Sequence, residues 1–151
     1  MLDRRRFLLA GGALLASAPA CTAAPTLAIT VYKDPYCGCC TAWAEHLTAS
    51  GFKVTVEDRD DMAAIKTEHG VPDDLASCHT GVIEGYTIEG HVPAEDIKRL
   101  VAKRTAGLGL AVPGMPINSP GMEVAGEPNE RYTVWLFQKD GKRASFAEHG
   151  G

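Results

Sequence analysis

Thr26-Leu-Ala-Ile-Thr-Val-Tyr-Lys-Asp-Pro-Tyr-Cys-Gly-Cys-Cys40 decides how this chain folds. Residues 26–33 are largely β-branched or apolar, which predicts a buried strand. Asp34-Pro35 breaks it, and Cys37, Cys39 and Cys40 follow at once. Residues 41–50 then read as a helix, with Trp43, Ala44 and Leu47 on one face and Gly51 placed to end it. A strand therefore hands over to a helix whose N-terminus carries three of the chain's five cysteines.

Outward from that handover, Phe52-Lys-Val-Thr-Val-Glu57 alternates as a second strand. Asp60 or Asp61 can cap a second helix that runs to about His69 and closes at Gly70 and Pro72. Residues 78–83 and Tyr86–Glu89, on either side of Gly85, predict a hairpin. Pro93 opens a third helix, with Ile97, Leu100 and Val101 toward the core. The order β-α-β-α-β-β-α predicts an α/β fold: a thioredoxin-like central mixed sheet flanked by helices. Two additions follow. Residues 107–122 read as a Gly/Pro-rich apolar loop, too irregular for a helix or a central strand, and residues 131–146 form a C-terminal hairpin turning at Asp140-Gly141. No internal repeat or second domain is evident.

The first twenty residues stand apart. Arg4-Arg5-Arg6, an apolar run through Leu15 and Ala18-Pro19-Ala20 have the layout of an export signal of the twin-arginine kind. Residues 1–20 are thus expected to be a signal peptide, 21–25 a spacer and 26–151 the domain. Cys21, directly after Ala20, is a candidate lipid anchor, and membrane attachment is expected through that anchor alone. The location this implies is the periplasm or the outer face of the cell envelope. Without residues 1–20, 12 basic and 18 acidic side chains remain, a formal net charge of −6. An acidic domain with no basic stripe argues against nucleic acid as a partner.

Export sharpens the cysteine question, because thiols outside the cytoplasm tend to become disulfides. Cys37, Cys39 and Cys40 crowd one turn, whereas disulfides that staple a small fold are spread along the chain. The cluster is a site. Unpaired N–H groups at a helix N-terminus favour thiolates. In a thioredoxin-like layout the loop before the third strand lies over that turn, which brings Cys78 to the other three sulfurs. A redox centre needs only the Cys37/Cys40 pair, with Cys78 to resolve it, so a third cysteine inside the motif is surplus. For soft metal, four thiolates are an asset. A single Zn²⁺ prefers spaced ligand pairs, whereas adjacent thiolates suit a cluster in which each sulfur bridges ions, as with Cu(I). An iron–sulfur cluster fits an exported chain with this spacing less well. Three readings stay open: a Cu(I)–thiolate protein, a thiol–disulfide or copper oxidoreductase, and a structural zinc module.

Secondary ligand or lid candidates are His79 beside Cys78, His91 in Glu89-Gly-His-Val-Pro93, and the thioethers of Met115 and Met122. His46 and His69 look like surface positions, and His149 like a solvated tail.

Tyr36-Cys-Gly-Cys-Cys40, Ser77-Cys-His-Thr80, Glu89-Gly-His-Val-Pro93, Leu110-Ala-Val-Pro-Gly-Met-Pro116 and Ser119-Pro-Gly-Met-Glu123 resemble the signature blocks of the CopG-type periplasmic copper-resistance family. That family is thioredoxin-like, was long described as a domain of unknown function, and is distinct from the repressors of the same name. The likeness spans about residues 27–137, with Asn118 where a glycine is familiar. It implies that Cys37, Cys39, Cys40 and Cys78 hold a multinuclear copper–thiolate cluster. The partners it implies are copper ions and another envelope copper-handling protein.

Overall fold

The computed structural model describes residues 26–151. The expected signal peptide, spacer and Cys21 lie outside the described residues. The elements are β1 (Ala28–Lys33), α1 (Gly38–Ala49), β2 (Lys53–Asp58), α2 (Met62–Glu68), β3 (His79–Ile83), β4 (Tyr86–Glu89), α3 (Ala94–Lys103), β5 (Gly109–Ala111), β6 (Tyr132–Phe137) and β7 (Arg143–His149). A single 3₁₀ turn, Asp73–Leu75, precedes β3.

All strands join one mixed sheet in the order β2-β1-β3-β4-β5-β6-β7. β1 and β2 run parallel, as their α1 crossover requires, and β4 and β5 are parallel as well. The other pairs are antiparallel. Elements β1 to α3 follow the order expected from the sequence.

Strand β5 corrects that reading. Residues 109–111 lie inside the Gly/Pro-rich stretch expected to be loop, yet they form a strand between β4 and β6. Pairing on both sides outweighs weak local propensity. Gly109 permits the approach, because a Cβ there would lie 1.7 Å from the Thr87 carbonyl oxygen.

The main core lies between the sheet and helices α1 and α3. Trp43 and Leu47 of α1, with Ile97 and Leu100 of α3, pack on Ile29, Val31, Ile88, Leu110, Val112 and Val134. Full burial of each large apolar side chain stabilises the fold by about 1.5–3 kcal/mol. Ala111 points the other way from Leu110 and Val112, into a smaller cluster with Leu75 and Phe137. Among the described residues, no helix is long and apolar enough to cross a membrane.

Register places the site. Lys33, the last residue of β1, pairs with His79, the first of β3, so Cys78 emerges beside the turn that leads into α1. Thr80 pairs with Glu89, and Glu89 with Ala111. Gly90-His91 and the chain after Ala111 therefore leave the sheet at the same end. Four loops converge there.

Smaller expectations also change. Asp61 stands at the N-cap of α2 without a side-chain capping bond, and its carboxylate pairs with Arg59 instead. His149 is no solvated tail: β7 brings its Nε2 to within 2.6 Å of Asp96 and its ring onto Tyr132. His46 and His69 are half-buried, His46 accepting the Ala94 N–H and His69 stacking on Tyr32.

Candidate metal centre

Asp34-Pro35 ends β1 in a turn that Asp34 itself organises. Its carboxylate accepts the Tyr36 N–H at 2.8 Å and its carbonyl accepts the Cys37 N–H at 3.0 Å. Cys37 is the N-cap of α1, and Cys39 and Cys40 stand in the first helical turn. Neighbours on a helix diverge by about 100° around its axis. Cys40 accordingly points inward and is fully buried, whereas Cys39 is half-buried and faces the loop before β3.

The structure brings all four predicted sulfurs together, with Cys37, Cys39, Cys40 and Cys78 Sγ atoms within 4.8 Å of one another. Cys39 Sγ lies 3.5 Å from Cys37 Sγ and 3.9 Å from Cys78 Sγ. Cys37 and Cys40 are joined as a disulfide, and Cys39 and Cys78 are free thiols. Burial, then the neighbouring Cys39, pushes the Cys78 thiol up to about 12. Cys78 therefore holds its proton at neutral pH until something replaces it. That is opposite to the lowering a helix N-terminus gives, and Cys78 stands off the helix.

Both histidine candidates join the cluster. Cys78 Sγ is 3.3 Å from His79 Nδ1 and 3.2 Å from His91 Nε2, and the three residues form a second set of donor atoms within 4.8 Å. His91 Nδ1 lies 2.8 Å from the Pro120 carbonyl, which can only accept, so Nδ1 carries the proton and Nε2 offers its lone pair to the cluster. Burial pushes both imidazoles below the ordinary histidine range, His79 well below it, with His91 and Lys66 adding to the shift of His79. Neutral imidazole is the form that binds metal. His79 packs under Trp43 at 4.3 Å between centroids, and its Nε2 is buried without a partner among the described residues.

The loop after β5 covers this end. The Ser77 hydroxyl donates to the Gly114 carbonyl at 2.6 Å, and His91 holds Pro120. Gly121 sits against α1, where a Cβ would lie 2.7 Å from Trp43 N and 2.9 Å from the Cys39 carbonyl oxygen. Met122 is half-buried beside it, and Met115 is 53 % exposed. The sequence reading missed Ser77, Lys66 and Glu89. Ser77 and Glu89 each open one of the motif blocks quoted above, which was the available signal; Lys66 had none.

Sulfurs from a helix N-terminus, a fourth from a facing loop and two neutral imidazoles define a soft, metal-competent centre on a mixed α/β fold. A family described as "Protein of unknown function, DUF411" matches residues 75–122. Copper resistance protein CopG, form 1, is 48 % identical, with 84 % of this chain and 100 % of that one covered at a TM-score of 0.79. Its form 2 is also 48 % identical, covering 83 % and 99 % at a TM-score of 0.78. No curated protein matches. The chain belongs to the CopG-type copper-resistance family.

Proposed function

We propose that this protein is exported and takes up Cu(I) as its cargo in a multinuclear cluster, for copper handling or resistance. Cys37, Cys39, Cys40 and Cys78 supply the thiolates, and His79 and His91 supply further donors. The observation that carries this reading is the convergence of four sulfurs on one point, with Cys78 shared by two neutral imidazoles. Thiolate and imidazole are the ligands Cu(I) favours, and hard cations gain little from them. Copper resistance in the relatives supports the choice of metal. Met115 and Met122 form a lid rather than the main ligand set. Residues 1–20 act as the export signal, Cys21 serves as a lipid anchor, and another envelope copper protein exchanges the metal.

The Cys37–Cys40 disulfide favours a second reading, a thiol–disulfide or copper oxidoreductase. Opening that bond takes two electrons and two protons from a dithiol, which itself becomes a disulfide. Under the first reading this reduction only prepares the four-thiolate cluster. Under the second, dithiol exchange is the function, and Cys78 resolves it.

Metal analysis with free-thiol counting separates them, on protein purified anaerobically from copper-supplemented cells. Several copper equivalents per chain with all four site thiols protected is the expected result. Metal-free protein with a Cys37–Cys40 disulfide that exchanges with dithiols would overturn the copper reading in favour of the second.

A further inference from the structure

We infer that Glu89 is the positioning residue of the sulfur centre: its buried carboxylate holds both flanks of the Cys78-His79 dipeptide and so aims Cys78 at Cys39 and the imidazoles. This deepens the copper reading and rests on it only for what the centre takes up.

Glu89 closes β4 and is fully buried. Its Oε1 accepts the Ser77 N–H at 2.6 Å and meets Lys66 Nζ at 2.5 Å. Its Oε2 accepts the Thr80 hydroxyl at 2.7 Å, and Lys66 Nζ donates to Thr80 Oγ1 at 3.2 Å. Ser77 precedes the dipeptide and Thr80 follows it, so a single side chain spans the segment that carries the ligands. Strand pairing already fixes the His79 side, where the Gly90 N–H reaches the His79 carbonyl at 3.1 Å. On the Ser77 side, the backbone N–H finds its acceptor in Glu89, and the Ser77 hydroxyl goes on to tie down the covering loop at Gly114.

A buried carboxylate is a costly way to stabilise a core, because apolar side chains of similar volume often do as well or better. What a carboxylate offers and an apolar pair does not is directed, charge-assisted hydrogen bonding. Lys66, on α2, offsets the charge, so the pair also fixes α2 against the strand that carries the site. Glu89 touches none of the reacting atoms. It acts through Ser77 and Thr80.

Two double variants separate positioning from bulk stability. Glu89→Gln with Lys66→Met removes both charges but leaves an amide oxygen to accept the Ser77 N–H. Glu89→Leu with Lys66→Met removes the charges and the acceptor together. The readout is the rate at which iodoacetamide labels Cys78, resolved by peptide mass spectrometry on reduced, copper-free protein, beside a Cu(I) titration of each. The Leu/Met variant is expected to label Cys78 about tenfold faster than wild type, the upper end of what one neutral hydrogen bond is worth, and to take up less Cu(I). The Gln/Met variant should label within about twofold of wild type. Equal labelling of Cys78 in the two variants would overturn the proposal.

Hydrogen exchange on the wild-type protein provides the same decision if either variant does not fold. The Ser77 amide should exchange about 100-fold more slowly than a free loop amide, and exchange at the free rate overturns the assignment. Neither labelling nor exchange involves copper. If the wild-type protein takes up no copper while the two variants still differ in Cys78 labelling, the copper reading is defeated and the role of Glu89 stands.

Discussion

Substituting Gly121 with alanine tests whether the covering loop is fitted to helix α1 or merely lies near it. Gly121 has φ +85, and an added Cβ would stand 2.7 Å from Trp43 N, 2.9 Å from the Cys39 carbonyl oxygen and 3.0 Å from Trp43 Cα. Those neighbours are helix backbone and cannot rotate away. Two costs follow. Holding alanine in a left-handed conformation costs about 1–2 kcal/mol, and forcing a methyl into packed atoms costs about 1–3 kcal/mol more. Gly126 supplies the control, since its φ is +86 and a Cβ there meets nothing within 4 Å. Gly126→Ala should therefore lose about 1–2 kcal/mol and Gly121→Ala about 2–5 kcal/mol. Urea denaturation of the reduced protein measures both. The excess has a functional counterpart: as the loop lifts, the Pro120 carbonyl leaves His91 Nδ1, and the imidazole is no longer held with Nε2 toward Cys78. Gly121→Ala should thus surrender Cu(I) to a chelator faster than wild type, while Gly126→Ala keeps the wild-type rate. If the two variants differ by less than about 0.5 kcal/mol, the close approach is not real and the argument fails.

Three further outcomes are expected. Cys78→Ser removes the sulfur common to both donor sets, so it should lower the Cu(I) equivalents bound, whereas Met115→Leu should leave them unchanged; equal capacity in Cys78→Ser would refute the shared role. Trp43→Phe deletes the Nε1–H that reaches the Val92 carbonyl at 2.9 Å and leaves a buried acceptor unpaired. It should destabilise by about 1–3 kcal/mol in urea denaturation, and a loss below about 0.5 kcal/mol would count against the bond. Burial lowers the pKa of His46, whose Nε2 accepts the Ala94 N–H, so the unfolded chain binds this proton more readily than the folded one. The stability contributed is present above the ordinary histidine pKa of about 6.5 and fades as pH falls through that value toward the lowered one. Denaturation at pH 7 and at pH 5 should show a smaller acid loss for His46→Gln than for wild type, and identical losses would be the contrary result.

The handover at Cys37–Cys40 was legible in the sequence because everything it needs is local: an apolar run, a proline break and a helical stripe. The position of Cys78 was legible for a different reason: in a thioredoxin-like layout the loop before the third strand lies over the helix N-terminus, and the pairing of Lys33 with His79 puts it there. What escaped was long-range. Strand β5 owes its existence to partners on both sides, and its three residues carry almost no propensity of their own. The pairing of Lys66 with Glu89 joins positions 23 residues apart, on elements whose contact no local pattern announces. His149 resembled a tail because Asp96, its partner, lies 53 residues earlier. Local chemistry reads forward along a chain. Pairing between distant segments does not.

The helix itself explains why adjacent cysteines are useful here. Cys39 and Cys40 diverge by about 100° around the helix axis, yet their sulfurs stay within 4.8 Å of each other and of Cys37 and Cys78. In this structure Cys40 is bonded to Cys37, while Cys39 lies close to both Cys37 and Cys78, and Cys78 is in turn shared with His79 and His91. Four sulfurs and two imidazoles thus crowd one small volume between the buried helix face and the covering loop. Six soft donors exceed the four that one tetrahedral ion takes, and sulfurs this close can bridge ions, which is the physical reason to expect more than one copper per chain. A titration that saturated at a single equivalent, with all four thiols still protected, would contradict it.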